Sequence, residues 1–389
     1  MKPADAYKRQ LPKGVQDYLP EECFEKRKLE ANLRRHFRLS GYDEVETPAF
    51  EYYHVFADGL SEPRRRSLIK WIDAQGDILA LRPEWTTPIA RMAATKVQEF
   101  PVRFCYIGNA YGCENAYYGS QMEFTQAGLE LLGEPSPAAD AEIIATAIES
   151  LRATGLDHFQ IELGQVMFFK GLMEDAGLER DQIEALRMHI DQKNDLAVAL
   201  FLQECEIDPR VQETIEKLSA LFGGKEVFDQ AEQFSANAKC RKAVQNLREI
   251  YGLLVDFGLE AYLLIDFGLL QSIDYYSGLI FKGYAESIGY PILSGGRYDH
   301  LIQNFGRDIP ATGCAMGIKR IMIALEKQGK LAKPAGMDYI VAGKTPGSAY
   351  RAMQSLMAEG KRVQLALTAD QNELTQRAAK IGAIPFFAE

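Results

Sequence analysis

The sequence predicts an α+β fold: an antiparallel sheet flanked by helices, a helical insertion over about residues 172–254, and a small C-terminal α/β unit at residues 334–389. Three observations predict it. Residues 104–107 and 123–132 read as strands on either side of a loop rich in Gly, Asn and Tyr, close enough to pair as an antiparallel hairpin. From Leu172 to Leu254 the pattern turns to long helical periodicities, with Gly223-Gly224 as a break. After the linker Lys333-Pro-Ala-Gly336, the chain runs strand–helix–strand–helix–strand to its end.

The first helix follows from Pro20 with Glu21 and Glu22, which suit a first turn facing the positive end of the helix dipole. Leu29, Leu33 and Phe37 recur every four residues to make its apolar stripe, and Gly41 stands where a C-terminal cap belongs. An extended run at residues 44–48 follows, with Arg64-Arg65-Arg66 and Lys70 then read as a solvated loop. Residues 78–82 read as a strand closed by Pro83, and a helix is expected next with Thr87 as its cap and Pro88 in its first turn. Beyond the insertion, strands are expected at residues 261–267, 277–284 and 290–293, with a turn at 287–289. Gly313 and Gly317 flank a further buried strand, where glycine reads as close packing, and residues 318–327 form an amphipathic helix.

Hydrophobic residues are 47% and charged residues 25% of the 389, which excludes a disordered chain. No stretch approaches the roughly 18–20 apolar residues of a membrane span, and residues 1–10 lack the apolar core of a secretory signal. The six cysteines are widely spaced with no C-x-x-C pair, so neither zinc nor a disulfide scaffold is expected, and a reducing cytoplasm is. His36, His54, His158, His189 and His300 have no metal or triad spacing. A net charge of −10 weighs against a nucleic-acid partner, because phosphate neutralisation needs cations. Ala342-Gly-Lys-Thr345 resembles the end of a phosphate loop, but Asp338 stands where its first glycine is required.

The strand at 123–132 is the most informative segment. Alternation puts Phe124, Gln126, Gly128 and Glu130 on one side and Thr125, Ala127, Leu129 and Leu131 on the core side. Two polar groups separated by a glycine leave space for a ligand above the sheet; a solvent-facing edge is equally compatible with this strand alone. Glu84 and Thr86 fall between a strand end and a helix start, where side chains and free amides project into a cleft.

In order along residues 11–327, the chain resembles the class II histidyl-tRNA synthetases. The segment at 11–20 is similar to that family's N-terminal signature, Gly41-Tyr-Asp-Glu-Val-Glu-Thr-Pro48 to its first motif, and Leu81-Arg-Pro-Glu84 to its amino-group segment. Tyr106-Ile-Gly108 through Phe124-Thr-Gln126 resembles the second motif, and Ile273-Asp-Tyr-Tyr276 the histidine signature. Gly295-Gly-Arg-Tyr-Asp299 follows, and Ala315-Met-Gly-Ile-Lys-Arg320 resembles the third motif. The resemblance implies a class II aminoacyl-tRNA synthetase-like domain over residues 1–333, with a histidine site. In it Glu84, Thr86 and Gln126 hold the α-ammonium, Glu130, Tyr276 and Tyr298 take the imidazole edge, and Tyr275 is a further histidine-site residue. Glu130 should have no internal partner that its loss would strand.

Two departures set the expected activity. Gly112 stands where the synthetases carry the arginine that clamps the ATP α-phosphate, and Gln271 where another contacts the carboxylate and α-phosphate. Removing one such donor costs about 2.7–4 kcal/mol of transition-state stabilisation. The chain therefore reads as non-catalytic, with no cofactor, and Trp85-Thr-Thr-Pro-Ile-Ala-Arg91 and Asp274-Tyr-Tyr-Ser-Gly278 resemble the regulatory subunits of ATP phosphoribosyltransferase more than the synthetases. That implies a homodimer through the first-motif region, a hetero-octamer with the short-form catalytic subunit, histidine as feedback ligand, and no tRNA or membrane partner. A divergent histidyl-tRNA ligase, or a class II-like enzyme activating an amino acid for another acceptor, is the alternative.

Overall fold

The computed structural model describes residues 8–57, 62–112, 121–234, 237–270, 275–286, 288–331, 334–368 and 370–389, with residues 62–64 as backbone only. The chain forms two compact units, one ending at Leu331 and one beginning at Ala332.

The first helix, Pro20–Leu39, buries Leu29, Leu33 and Phe37 and exposes Leu39. It ends into Gly41, whose φ of +84° is left-handed. Gly41→Ala, with open space around the new methyl, is expected to cost about 1–2 kcal/mol through backbone strain alone, read as a shift in the urea midpoint. Strands follow at β1 (Asp43–Glu44), β2 (Phe50–Tyr52), β3 (Lys70–Ile72) and β4 (Ile78–Leu81), then β5 (Val102–Tyr111) and β6 (Glu123–Leu132). Beyond β7 (Phe159–Gln165) comes a run of helices between Val166 and Asp256, interrupted by β8 (Phe222–Gly223). The first unit closes with β9 (Leu263–Asp266), β10 (Leu279–Ala285), β11 (Leu293–Arg297), β12 (Ala311–Gly317) and the helix Ile318–Lys327.

Nine of these strands form one sheet in the order β1-β5-β6-β12-β11-β10-β7-β9-β8. Its pairs are antiparallel except β1 with β5 and β7 with β9. Helices Pro20–Leu39, Pro137–Ala153 and Ala238–Asp256 pack with one side of it into the main core, and a second core gathers around Trp85, Ile89, Tyr106 and Tyr298. The smaller unit carries strands β13 (Tyr339–Gly343), β14 (Val363–Leu365) and β15 (Ile384–Ala388). They form a parallel sheet with β13 in the middle. Thr345 spends its side-chain oxygen capping the helix Pro346–Ala358, as the acceptor for the Ser348 N–H.

Several local expectations are corrected. The arginine cluster lies on a short helix, Glu62–Ser67, rather than a loop, with Arg65 and Arg66 exposed. The helix expected to be capped by Thr87 starts at Thr86, and Glu84 receives the Thr87 N–H instead. The strand expected at 290–293 is Leu293–Arg297, so Gly295-Gly296 lies within it. A Cβ on Gly295 would collide with the Gly313 carbonyl oxygen, which is why a residue without one is needed there. The turn expected at 287–289 includes Ser287, which lies outside the described residues.

Candidate functional site

The β5–β6 hairpin and its pairing with β12 build the floor of a cleft. Register places Gly128 beside Tyr106 and Ala315, and Glu130 beside Phe104 and Gly313. Side chains of paired residues share a face, so Gln126, Gly128 and Glu130 point where Ala315 and Gly313 point. Glu84, Thr86, Gln126, Tyr275, Tyr276 and Tyr298 line one cavity of about 250 Å³, together with Ser294, Gly295, Gly313, Cys314 and Ala315.

Glu130 departs from the expectation that it has no internal partner. It is buried behind the cavity, 1% exposed, accepting hydrogen bonds from the Tyr298 hydroxyl and, at 2.8 Å, from Thr86 Oγ1. A Cβ on Gly313 would overlap Glu130 Oε2, so this glycine makes room for the carboxyl group rather than for strand packing alone. Burial dominates its titration: desolvation pushes its pKa up to about 8, against the lowering effect of Tyr298 and Thr86 and with a further rise from Glu84. Burial also raises Glu84, whose two oxygens each accept from the Thr87 N–H at 3.1 Å. The Glu84 carboxylate thus sits at the positive end of the helix Thr86–Lys96.

The space above Gly128 is not empty. Tyr106 fills it, its hydroxyl occupying the place where a Cβ would stand. Its ring stacks on Trp85 at 5.0 Å between centroids, and Trp85 in turn lies against Gly108 and under the Arg82 guanidinium. The Tyr106 hydroxyl and Gln126 Oε1 are buried here without a hydrogen-bond partner among the described residues. Tyr106 escaped sequence reasoning because Phe-Cys-Tyr-Ile reads as an apolar strand; the signal that could have found it is the antiparallel register opposite Gly128.

Arg297, directly before Tyr298, fixes the far wall. Its Nε donates to Asp140 at 3.0 Å, Nη1 to Asp299 and the Glu134 carbonyl, and Nη2 to the Ser136 carbonyl. Asp299 also accepts from Ser277 Oγ and the Ala311 N–H, holding Tyr275 to Ser277 beside β11 and β12. Tyr275 meets Tyr276 edge-on at 5.0 Å and tilts against Tyr298 at 5.6 Å.

A smaller cavity of about 50 Å³ adjoins the first, sharing Gln126, Ser294 and Ala315, and carries Lys319 and Arg320. Gly112 is the last described residue of its strand–loop junction; its N–H donates to the Met122 carbonyl at 3.0 Å, and a Cβ would meet only Pro83 at 4.0 Å. Gln271 lies outside the described residues. Among the described residues, no group of three His, Cys, Asp or Glu could hold a metal ion. None of their helices is long and apolar enough to cross a membrane.

Residues 14–321 match the family model described as histidyl-tRNA synthetase. The chain is 43% identical to the ATP phosphoribosyltransferase regulatory subunit of Acetivibrio thermocellus over 97% of its own length and 91% of that protein's. It is 42% identical to the same-named subunit of Ruminiclostridium cellulolyticum over 86% and 80% of the two chains. A solved structure from Bacillus halodurans, an ATP phosphoribosyltransferase regulatory subunit/histidyl-tRNA synthetase, superposes with a TM-score of 0.87 at 28% identity, covering 98% of this chain and 99% of that one. Histidyl-tRNA synthetase from Nostoc has the same fold, with a TM-score of 0.81 at 22% identity over 96% and 90% of the chains.

Proposed function

The chain belongs to the ATP phosphoribosyltransferase regulatory subunits, built on the histidyl-tRNA synthetase fold, and from that membership we propose that it activates a short-form catalytic subunit and senses histidine for feedback inhibition. The observation that carries the reading is the cavity itself, where Glu84, Gln126 and three tyrosines converge and Gln126 Oε1 is buried without a hydrogen-bond partner among the described residues. A buried polar atom left unpaired costs free energy, so a ligand bearing an ammonium and an imidazole would recover it. Glu84, Thr86 and Gln126 would take the ammonium. Glu130, Tyr275, Tyr276 and Tyr298 would serve the ring, with Thr86 also orienting Glu130.

Catalysis of aminoacylation is not expected. Attack on ATP builds negative charge at phosphorus, and Gly112 and Gln271 offer no cation where the synthetases place two arginines. The assembly is a homodimer through the region of residues 41–48, joined with catalytic subunits in a hetero-octamer within the cytoplasm, without tRNA.

The test mixes the chain with a short-form catalytic subunit. Alone it should show no phosphoribosyl transfer and only background histidine-dependent pyrophosphate exchange. The mixture should co-elute on size exclusion, turn over faster than the catalytic subunit alone, and be inhibited by histidine. Failure to co-elute at micromolar concentration sinks the regulatory reading, and robust pyrophosphate exchange replaces it with an amino-acid-activating enzyme.

A further inference from the structure

The cavity offers hydrogen-bond acceptors and little positive charge. Glu84 lines it and Glu130 lies behind it, yet none of the described lining residues is lysine or arginine. Nearby cations are engaged by other groups: Lys170 Nζ donates to the Tyr276 carbonyl at 3.3 Å. Arg82 donates to the carbonyls of Asn109 and Thr47 and lies over Trp85, and Arg297 is held by Asp140 and Asp299. Lys282, paired across the sheet with Ser294, has Asp191, Glu162 and Asp266 around it. Lys319 and Arg320 belong to the adjoining cavity, where Arg320 Nη1 donates to the Pro291 carbonyl at 2.9 Å.

An α-carboxylate buried beside Glu84 would enter a desolvated site with no cation among its described lining residues, which is costly unless a cation pairs with it. The ammonium and ring N–H meet the reverse situation: carboxylate, amide and phenol oxygens surround them. We propose that this cavity recognises its ligand through the ammonium and the imidazole and makes no ion pair with the α-carboxylate, so that it takes imidazole-bearing primary amines as a class. The inference rests on the histidine-site reading.

Calorimetry on the full chain at neutral pH tests this with four probes: histidine, histamine, histidinol, and imidazolepropionate, which keeps the carboxylate and lacks the amine. Histamine and histidinol should bind within about threefold of histidine, a difference of about 0.7 kcal/mol at most. Imidazolepropionate should bind at least about thirtyfold more weakly, the fold-change expected for losing a charge-assisted hydrogen bond. If histidine binds and both carboxylate-free amines are more than about tenfold weaker, the inference is overturned and the histidine reading stands. In that event Arg320→Ala, which removes one of the two cations of the adjoining cavity, should weaken histidine by a similar factor. If histamine binds and histidine does not, the inference stands and the feedback reading falls. Absence of binding by all four removes both.

Discussion

Asp140→Ala is expected to lower the unfolding free energy by about 3–5 kcal/mol, because it leaves a buried guanidinium without its closest carboxylate. Arg297 and Asp140 are 7% and 1% exposed, and their 3.0 Å contact joins β11 to the helix Pro137–Ala153 across 157 residues of sequence. Burial raises the Asp140 carboxyl more than Arg297 and its other partners lower it, so the pair is not a gain over water; its removal by halves is what costs. The double variant Asp140→Leu with Arg297→Met, which removes both charges at similar volume, should therefore recover much of the loss. Urea unfolding of wild type, both singles and the double closes the cycle. A single-variant cost below about 1 kcal/mol would mean that water reaches the pair and that β11 is held by something else. Because Tyr298 follows Arg297 directly, Asp140→Ala should also weaken ligand binding without touching the cavity.

How much of this could be read in the sequence varies with the range of the interaction. The helix Pro20–Leu39 was legible because its signals are local: a proline at the start, an apolar residue every fourth position, and a glycine after the end. The β5–β6 hairpin was legible for the same reason, and with it the face carrying Gln126 and Glu130. What that face meets was not. Gly128 suggests open space, but Tyr106 from the neighbouring strand occupies it, and Glu130 suggests a free ligand group, but Tyr298, 168 residues away, already bonds to it. Thr87 reads as a cap by residue type, yet the helix already begins at Thr86, and Thr87 gives its own N–H to the Glu84 carboxylate three residues earlier. The strand expected at 290–293 runs instead through Gly295-Gly296, where the approach of the Gly313 carbonyl leaves no room for a side chain on Gly295. Residue type and alternation reveal faces, and tertiary neighbours decide what each face holds.

Glu130→Ala is expected to weaken histidine binding by about ten- to a hundredfold, the effect of losing a charge-assisted hydrogen bond. Unlike a carboxylate facing only its ligand, Glu130 also serves the Tyr298 and Thr86 hydroxyls, so the alanine strands two polar groups and should destabilise the free protein by about 1–3 kcal/mol as well. Glu130→Gln separates the two effects. With its pKa pushed up to about 8, the wild-type side chain is protonated at neutral pH in the empty protein, and the amide imitates that form. A carboxyl whose pKa is higher folded than unfolded favours the native state below its unfolded value near 4.5. That contribution is lost as pH rises through the folded value. Wild type should accordingly lose stability between about pH 5 and pH 8 in a way that Glu130→Gln does not, and the two urea midpoints should diverge as pH rises. Histidine calorimetry on the same proteins decides the site: the glutamine variant should bind weakly while folding well, because it cannot present a carboxylate to an imidazole N–H. Equal affinities for wild type and Glu130→Gln, with the pH slope removed, would leave Glu130 as a buried structural acid and move the histidine contact to Glu84 and the tyrosines.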